Sequence, residues 1–166
     1  MSKRMAVAEA RTLPAAMSLI VPDTYADANG HMNIVHHMQV HNDAGWRYVE
    51  RFGLGERHAR EGSAASFDVQ HHINYLAEVV VGDKLTVHVR LLQRTTKALH
   101  LVQVIVDDTT DVVANTLEII SLGVDLATRR VAPFPPHVTE ALDAQLALDQ
   151  ALDWEFLGSS DMGLRA

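Results

Sequence analysis

The chain contains no cysteine and no long apolar run, and each absence excludes a class of protein. Without cysteine, its 166 residues carry no disulfide, no thiolate nucleophile and no cysteine-ligated zinc. No uninterrupted apolar segment approaches the roughly 20 residues that a membrane-spanning helix needs. The basic start, Met1–Arg4, is not followed by an apolar signal segment, because Arg11 and Pro14 interrupt it. We therefore expect no secretory signal, no membrane partner and a cytoplasmic location.

Positive charge is also scarce. The formal net charge is −7, which argues against a nucleic-acid partner, because nucleic-acid binders present a basic stripe to the phosphates. Beyond the basic start, the only concentrated basic pair is Arg129–Arg130, with Arg94 and Lys97 elsewhere. These residues are either solvated surface groups or contacts to the phosphates of a large carrier such as coenzyme A. Arg94 and Arg129 are the candidates for that second role.

Several well-known catalytic motifs are missing. The chain has no Gly-x-Ser-x-Gly elbow, no phosphate-binding Walker loop and no dinucleotide fingerprint. His37 and His41 are four residues apart and would share one helix face, as a pair of zinc ligands does, but no third ligand is evident. We therefore predict no metal and no cofactor.

The most informative segment that is present runs from Asp27 to Asn33, with the sequence Asp-Ala-Asn-Gly-His-Met-Asn. An acid, an amide and an imidazole alternate in it, and an apolar pattern of helical period begins directly afterwards at Ile34. The N-terminus of a helix carries unpaired N–H groups and partial positive charge, which suit a polarised carbonyl or an oxyanion. The segment is typical of an active site, although an Asx turn or helix cap would also place Asp there.

The rest of the chain predicts one domain of α+β architecture. Residues 1–16 are expected to be a flexible extension, residues 17–136 the folded domain, and residues 137–166 a helical tail packed on it. Apolar spacing predicts the following elements: a strand over 17–21, a long helix over 34–52, strands over 66–81, 85–91, 99–106 and 112–126, and a terminal helix over 138–152. A helix as apolar as the first must be covered by the antiparallel sheet.

This order of elements resembles the hotdog fold of acyl-thioester hydrolases. The segment Asp27–Asn33 is similar to the motif of plant fatty acyl-carrier-protein thioesterases and of a bacterial thioesterase-like group. Two further stretches are similar to that group, namely Tyr75–Glu78 ahead of Gly82-Asp83, and Leu122–Pro135. The resemblance covers residues 17 to 136 and implies a long central helix wrapped by an antiparallel sheet of about five strands. It also implies hydrolysis of an acyl-CoA to free acid and CoA.

The resemblance implies roles for the residues of the motif. Asp27 would be the general base on water or the nucleophile that forms an anhydride. His31 would carry a proton to the leaving thiol, hydrogen-bonded to Asp27 or to Glu78, and Asn29 would orient the carbonyl or the water. Around them, the N–H groups and side chains of Gly30, Met32 and Asn33 would hold the oxyanion and the substrate.

Two positions depart from the family pattern. Many relatives have a tyrosine where this chain has His37, and a glutamate where it has Asn42. Glu78 is the candidate to replace that glutamate, as a buried carboxylate on a strand rather than an exposed sheet residue.

The family also pairs its domains edge to edge, which implies a homodimer or a tetramer, with Asp27 and Glu78 able to come from different subunits.

Three aromatic residues, Tyr25, Trp46 and Tyr75, can frame a pocket for a cationic acyl group such as betainyl, or simply pack in the core. The sequence leaves open the acyl group and the choice between CoA and carrier-protein thioesters. Two other functions stay open: a hotdog hydratase acting on an enoyl or hydroxyacyl thioester, and a non-catalytic acyl-CoA-binding module.

Overall fold

The computed structural model describes residues 5–62, 64–159 and 161–164. Residues 1–4, at the start of the predicted extension, and residues 160, 165 and 166, in the predicted tail, lie outside this description. The helices are α1 (Val7–Ala10), α2 (Ile34–Glu50), α3 (Glu56–Arg60) and α4 (Pro136–Gln150). The strands are β1 (Ala15–Ile20), β2 (Ala65–Tyr75), β3 (Lys84–Arg94), β4 (Ala98–Asp107), β5 (Val112–Asp125) and β6 (Arg130–Val131). A 3₁₀ turn, Asp23–Tyr25, joins β1 to the loop before α2.

The strands form one antiparallel sheet in the order β1-β3-β4-β5-β2, and the short β6 pairs with β5. The long ladder between β4 and β5 places Leu101 opposite Ile119 and Gln103 opposite Leu117. On the other side of β5, His71 of β2 lies opposite Ile119. Strand β2 therefore forms one edge of the sheet, and β1 covers only the first half of β3 at the other edge.

Helix α2 lies on the inner face of this sheet. It begins at Ile34 because Asn33 acts as the N-cap, its side-chain oxygen accepting a hydrogen bond from the N–H of Val35 at 3.0 Å. Val40, Ala44 and Tyr48 recur at a spacing of four and are buried against the sheet. At 1.5 Å per residue its 17 residues span about 25 Å, enough to cross most of the sheet. This is the arrangement that the resemblance implies.

The outer face of the sheet is covered by the two ends of the chain. Helix α1 places Ala10 against Val102, Val104 and Val106 of β4, and Phe156 from the C-terminal segment packs on the same cluster. Ala10 is fully buried. The sequence predicts a flexible extension over residues 1–16, but the part of it that the structure describes is packed, because β4 has apolar side chains on both faces.

The C-terminal helix α4 covers the half of β3 that β1 leaves unpaired. The carboxylate of Asp149 accepts a hydrogen bond from the N–H of Leu91 at 2.8 Å, which satisfies a backbone donor at the sheet edge. Arg90 donates to the carbonyl oxygens of Asp149 and Trp154, and its guanidinium lies 4.1 Å from the centre of the Trp154 ring. The predicted tail helix is thus present and packs on the same domain.

One element boundary differs from the prediction in a way that matters for function. The strand predicted over 66–81 ends at Tyr75, because the N–H groups of both Leu76 and Ala77 point to the carbonyl of Ala114 and the ladder with β5 stops. Glu78 consequently lies in an extended loop and not on a strand. Among the helices of the described residues, none is long and apolar enough to cross a membrane.

Candidate active site at the N-terminus of helix α2

The loop before α2 is folded by hydrogen bonds among its own backbone groups. The N–H of Asp27 donates to the carbonyl of His31 at 2.9 Å, and the N–H of Gly30 donates to the carbonyl of Asp27 at 3.1 Å. The carboxylate of Asp27 accepts from the N–H of Asn29 at 2.8 Å, which makes an Asx turn. Gly30 has a φ of +82°, a backbone conformation that residues other than glycine rarely adopt. A glycine is therefore needed at position 30 for backbone conformation, and its N–H is already used within the turn.

The same loop is attached to its surroundings at its second half. The N–H of Met32 donates to the carbonyl of Val79 at 2.8 Å, and the N–H of Asn33 donates to the carbonyl of Tyr25 at 2.9 Å. Met32 is buried, while Asn33 caps the helix. The bond to Val79 fixes the loop that carries Glu78 beside the motif.

Beside these contacts lies an open cleft of about 410 Å³ at the N-terminus of α2, called the cavity of Asp27 below. Its lining includes Asp27, His31 and Glu78, three of the predicted catalytic residues, together with Met32 and Tyr75. His31 Nε2 lies 3.2 Å from Glu78 Oε2 in the same chain, and the two side chains are 42% and 75% exposed. The partner of His31 is therefore Glu78 and not Asp27, and the pair does not need a second subunit. Glu78 is exposed, contrary to the prediction of a buried carboxylate.

His37 is a cavity residue that sequence reasoning did not assign to the site. It lies one turn into α2, lines the cavity and is only 5% exposed. Its ring meets that of Tyr75 edge to face, with centroids 5.3 Å apart. Burial, with His41 and His36 nearby, lowers the pKa of His37 from 6.5 to about 4, so the ring is uncharged at neutral pH. The sequence feature that could have placed His37 in the site is its position four residues after the N-cap, on the helix face that turns toward the loop.

The Nδ1 atom of His37 is buried and has no hydrogen-bond partner among the described residues. His41, which the sequence paired with His37 as a metal-ligand candidate, has both ring nitrogens hydrogen-bonded to amides, to Gln103 at 3.0 Å and to Asn115 at 2.6 Å. Within the described ranges no group of three or more His, Asp or Glu residues could hold a metal ion. His37 thus differs from His41 in having a ring nitrogen without a hydrogen-bond partner among the described residues.

The structure does not bring the other predicted site residues into this cavity. Tyr25 stacks on His36, with centroids 4.0 Å apart, and Trp46 lines a second cavity farther along α2. Asn29 is exposed in the turn. Arg94 forms an ion pair with Asp143 of α4, with Nε 2.6 Å from Oδ1, and Arg129 lies in the turn between β5 and β6 with a φ of +58°. Of the three predicted aromatic residues, Tyr75 is the one that lines the cavity of Asp27.

The second cavity, also about 410 Å³, lies between α2 and the edge strand β2. Asn42, which stands where relatives have a glutamate, is in its lining with Trp46. Its polar side includes Gln103 and Ser121, whose buried hydroxyl has no hydrogen-bond partner among the described residues. Within a single chain, Asn42 therefore lines a different cavity from Asp27.

Comparison with known proteins identifies the family. The model of the thioesterase-like superfamily matches residues 21–142, which include the motif loop, α2 and the whole meander. The chain belongs to the thioesterase-like superfamily. A curated relative, the L-carnitine dehydrogenase/betainyl-CoA thioesterase of Agrobacterium fabrum, is 35% identical over 142 residues. That match covers 86% of this chain but only 28% of the relative, so the chain spans little more than a quarter of that protein.

Solved structures confirm the hotdog fold. A hypothetical protein of Staphylococcus aureus, solved in complex with CoA, matches with a TM-score of 0.80 and 21% identity, covering 99% of this chain and 100% of its own. A 1,4-dihydroxy-2-naphthoyl-CoA thioesterase from Synechocystis matches with a TM-score of 0.67 and 18% identity, over 76% of this chain and 93% of its own. The predicted fold class, a long helix wrapped by an antiparallel sheet, is therefore confirmed.

Proposed function

We propose that this chain hydrolyses acyl-CoA thioesters in the cavity at the N-terminus of α2. The observation that carries the proposal is the convergence of Asp27, His31 and Glu78 on one cavity beside the first turn of a helix. A carboxylate can activate water, and first-turn N–H groups can hold the oxyanion that forms on the thioester carbonyl. Membership of the thioesterase-like superfamily and the activity named for the Agrobacterium relative support the same reaction.

Each residue has a separate role in thioester hydrolysis. One Asp27 oxygen accepts the Asn29 N–H, which orients the carboxylate, while the other takes a proton from water. The water oxygen bonds to the carbonyl carbon, the C–S bond breaks, and the CoA thiolate takes up a proton. His31, held by Glu78, is the nearby imidazole that can donate that proton. Gly30 is not the oxyanion donor in this scheme, since its N–H is bonded within the turn. The N–H groups of Val35 and His36 are bonded to Asn33, so the candidates are the N–H groups of His31 and Ile34.

The test is thiol release from a panel of acetyl, octanoyl, benzoyl and betainyl CoA thioesters by wild type and Asp27→Asn. Asparagine can still accept the Asn29 hydrogen bond, so the loop should keep its fold while losing the base. We expect kcat/KM to fall about 100-fold or more, as general-base contributions of this kind do. Asp23→Asn removes the same charge from the preceding 3₁₀ turn and serves as the matched control.

Two outcomes would contradict the proposal. Hydrolysis that survives in a folded Asp27→Asn protein would remove Asp27 from the mechanism. Binding of acyl-CoA without thiol release by the wild type would favour the acyl-CoA-binding module, and a hydrated enoyl product would favour the hydratase. Single-turnover hydrolysis in ¹⁸O-water would identify the nucleophilic route by label in Asp27, because water that opens an anhydride at the Asp27 carbonyl leaves its oxygen in the protein.

We also propose that the chain forms a homodimer through β2. Among the described strands β2 pairs only with β5, so its other edge presents open hydrogen-bonding groups along 11 residues. Phe67, Val69 and Tyr75 on this strand are exposed, at 45%, 57% and 48%. Sedimentation of wild type, Val69→Lys and the control Val131→Lys on β6 tests this. We expect a dimer, a monomer and a dimer, respectively, and a monomeric wild type would contradict the proposal.

A further inference from the structure

The cavity of Asp27 has an unusual distribution of charge. Asp27 and Glu78 supply two carboxylates, and no lysine or arginine is found among the described residues that line it. Its remaining polar lining is His31, the Glu78 partner, and the buried His37. A cavity with this lining attracts positive charge and repels anionic acyl groups.

The inner wall of the cavity adds two groups that suit a cation. The ring of Tyr75, half exposed, stands edge to face against His37 and presents an aromatic surface. His37 is buried, which lowers its pKa and leaves the ring uncharged at neutral pH, so it adds no repulsion toward a cation.

The position of a charge on the acyl group follows from its distance to the thioester carbonyl. In an acyl group with an ammonium on the carbon next to the carbonyl, nitrogen and carbonyl carbon are separated by two bonds, about 2.5 Å. If Asp27 activates the water that attacks this carbonyl, the ammonium lies in the same cavity. Trp46 is 12 residues along α2 from Ile34, about 18 Å, and is too far to contact it.

We propose that Tyr75, Glu78 and His37 form an acyl site that selects a cationic group next to the thioester carbonyl. The proposal rests on the proposed thioesterase function and assigns specificity to residues of that same cavity. Tyr75 supplies the aromatic surface, Glu78 the negative charge, and His37 an uncharged buried wall.

The test compares two substrates of the same shape. Betainyl-CoA carries a trimethylammonium group, and 3,3-dimethylbutyryl-CoA carries a neutral tert-butyl group in its place. The ammonium also activates the carbonyl, so the ratio of their kcat/KM values is divided by the ratio of their uncatalysed hydrolysis rates. We expect the corrected ratio to favour betainyl-CoA by about 10-fold or more in wild type, the range of a cation on an aromatic ring plus a carboxylate.

Variants assign this selectivity to residues. Tyr75→Leu should lower the ratio about 3- to 30-fold, and Tyr75→Phe, which keeps the ring, should retain it. Glu78→Gln should lower it about 3-fold, since this carboxylate is largely exposed to solvent. Trp46→Leu, in the second cavity, is the matched aromatic control and should keep the wild-type ratio.

Failure of this site and failure of the thioesterase proposal give different results. A wild-type ratio near one, or equal ratios in Tyr75→Leu and Tyr75→Phe, overturns the cation site even if both substrates are hydrolysed. Calorimetric binding of the two CoA thioesters to Asp27→Asn reports the preference without hydrolysis. Tighter binding of betainyl-CoA there, with no thiol release by wild type, supports the cation site and refutes the thioesterase. Equal binding of the two overturns the cation site.

Discussion

Replacing His37 with glutamine should make the stability of the protein less dependent on pH. In the folded protein burial and the neighbouring His41 and His36 lower the pKa of His37 from 6.5 to about 4. The unfolded chain therefore takes up a proton at this residue as the pH falls through 6.5, whereas the folded protein does not until about 4. Proton uptake by the unfolded state lowers the free energy of unfolding over this interval.

The size of the effect follows from the displacement of the pKa. A displacement of about 2.5 pH units corresponds to about 3 kcal/mol when complete, and to about 2 kcal/mol at pH 5. This is a large share of the roughly 5–15 kcal/mol that stabilises a typical domain. His41 contributes in the same direction, because burial lowers its pKa too, but it is present in both proteins and is absent from their difference.

The assay is urea denaturation from pH 8 to pH 5 at constant protein concentration. The free energy of unfolding of wild type should fall by about 2 kcal/mol more than that of His37→Gln over this range. His137→Gln, at an exposed histidine in the first turn of α4 that is not among the groups that lower the pKa of His37, is the matched control and should follow wild type. Parallel curves for wild type and His37→Gln would refute the assignment of an uncharged, buried His37.

Two further predictions concern glycines. Gly30→Ala should destabilise the protein by about 1–2 kcal/mol through its φ of +82° alone, since no atom lies within 4 Å of an added Cβ. Gly30→Asn should lose less in the same urea titration, and equal losses would contradict this. Gly123→Ala should cost about 1–3 kcal/mol, because the new Cβ would lie 2.6 Å from the carbonyl oxygen of Ala132 and 3.0 Å from the Phe134 ring. A melting temperature of Gly123→Ala equal to that of wild type would contradict this, because it would show that β5 and the Ala132 segment can separate without a loss of stability.

The elements were predictable where a periodic pattern and a local cap coincide. Helix α2 begins at Ile34, as predicted, because Asn33 caps it through atoms only two residues apart. The alternation of Leu85, Val87, Val89 and Leu91 likewise predicted β3, since these apolar side chains share one face of the strand and are buried. The end of β2 was not predictable, because apolar residues continue to Val81 while the ladder stops at Tyr75, where the N–H groups of Leu76 and Ala77 both turn to the carbonyl of Ala114.

By itself the sequence determined the turn at the start of the motif loop. The bonds that fold Asp27–His31 join residues within a few positions of each other, and Gly30 supplies the one backbone conformation that they require. Only the tertiary structure decided which distant side chains join this loop. It placed Glu78 beside His31, kept Trp46 and Tyr25 away, and buried His37 beside Tyr75. Burial and proximity across a sheet depend on packing between elements, which no local pattern records.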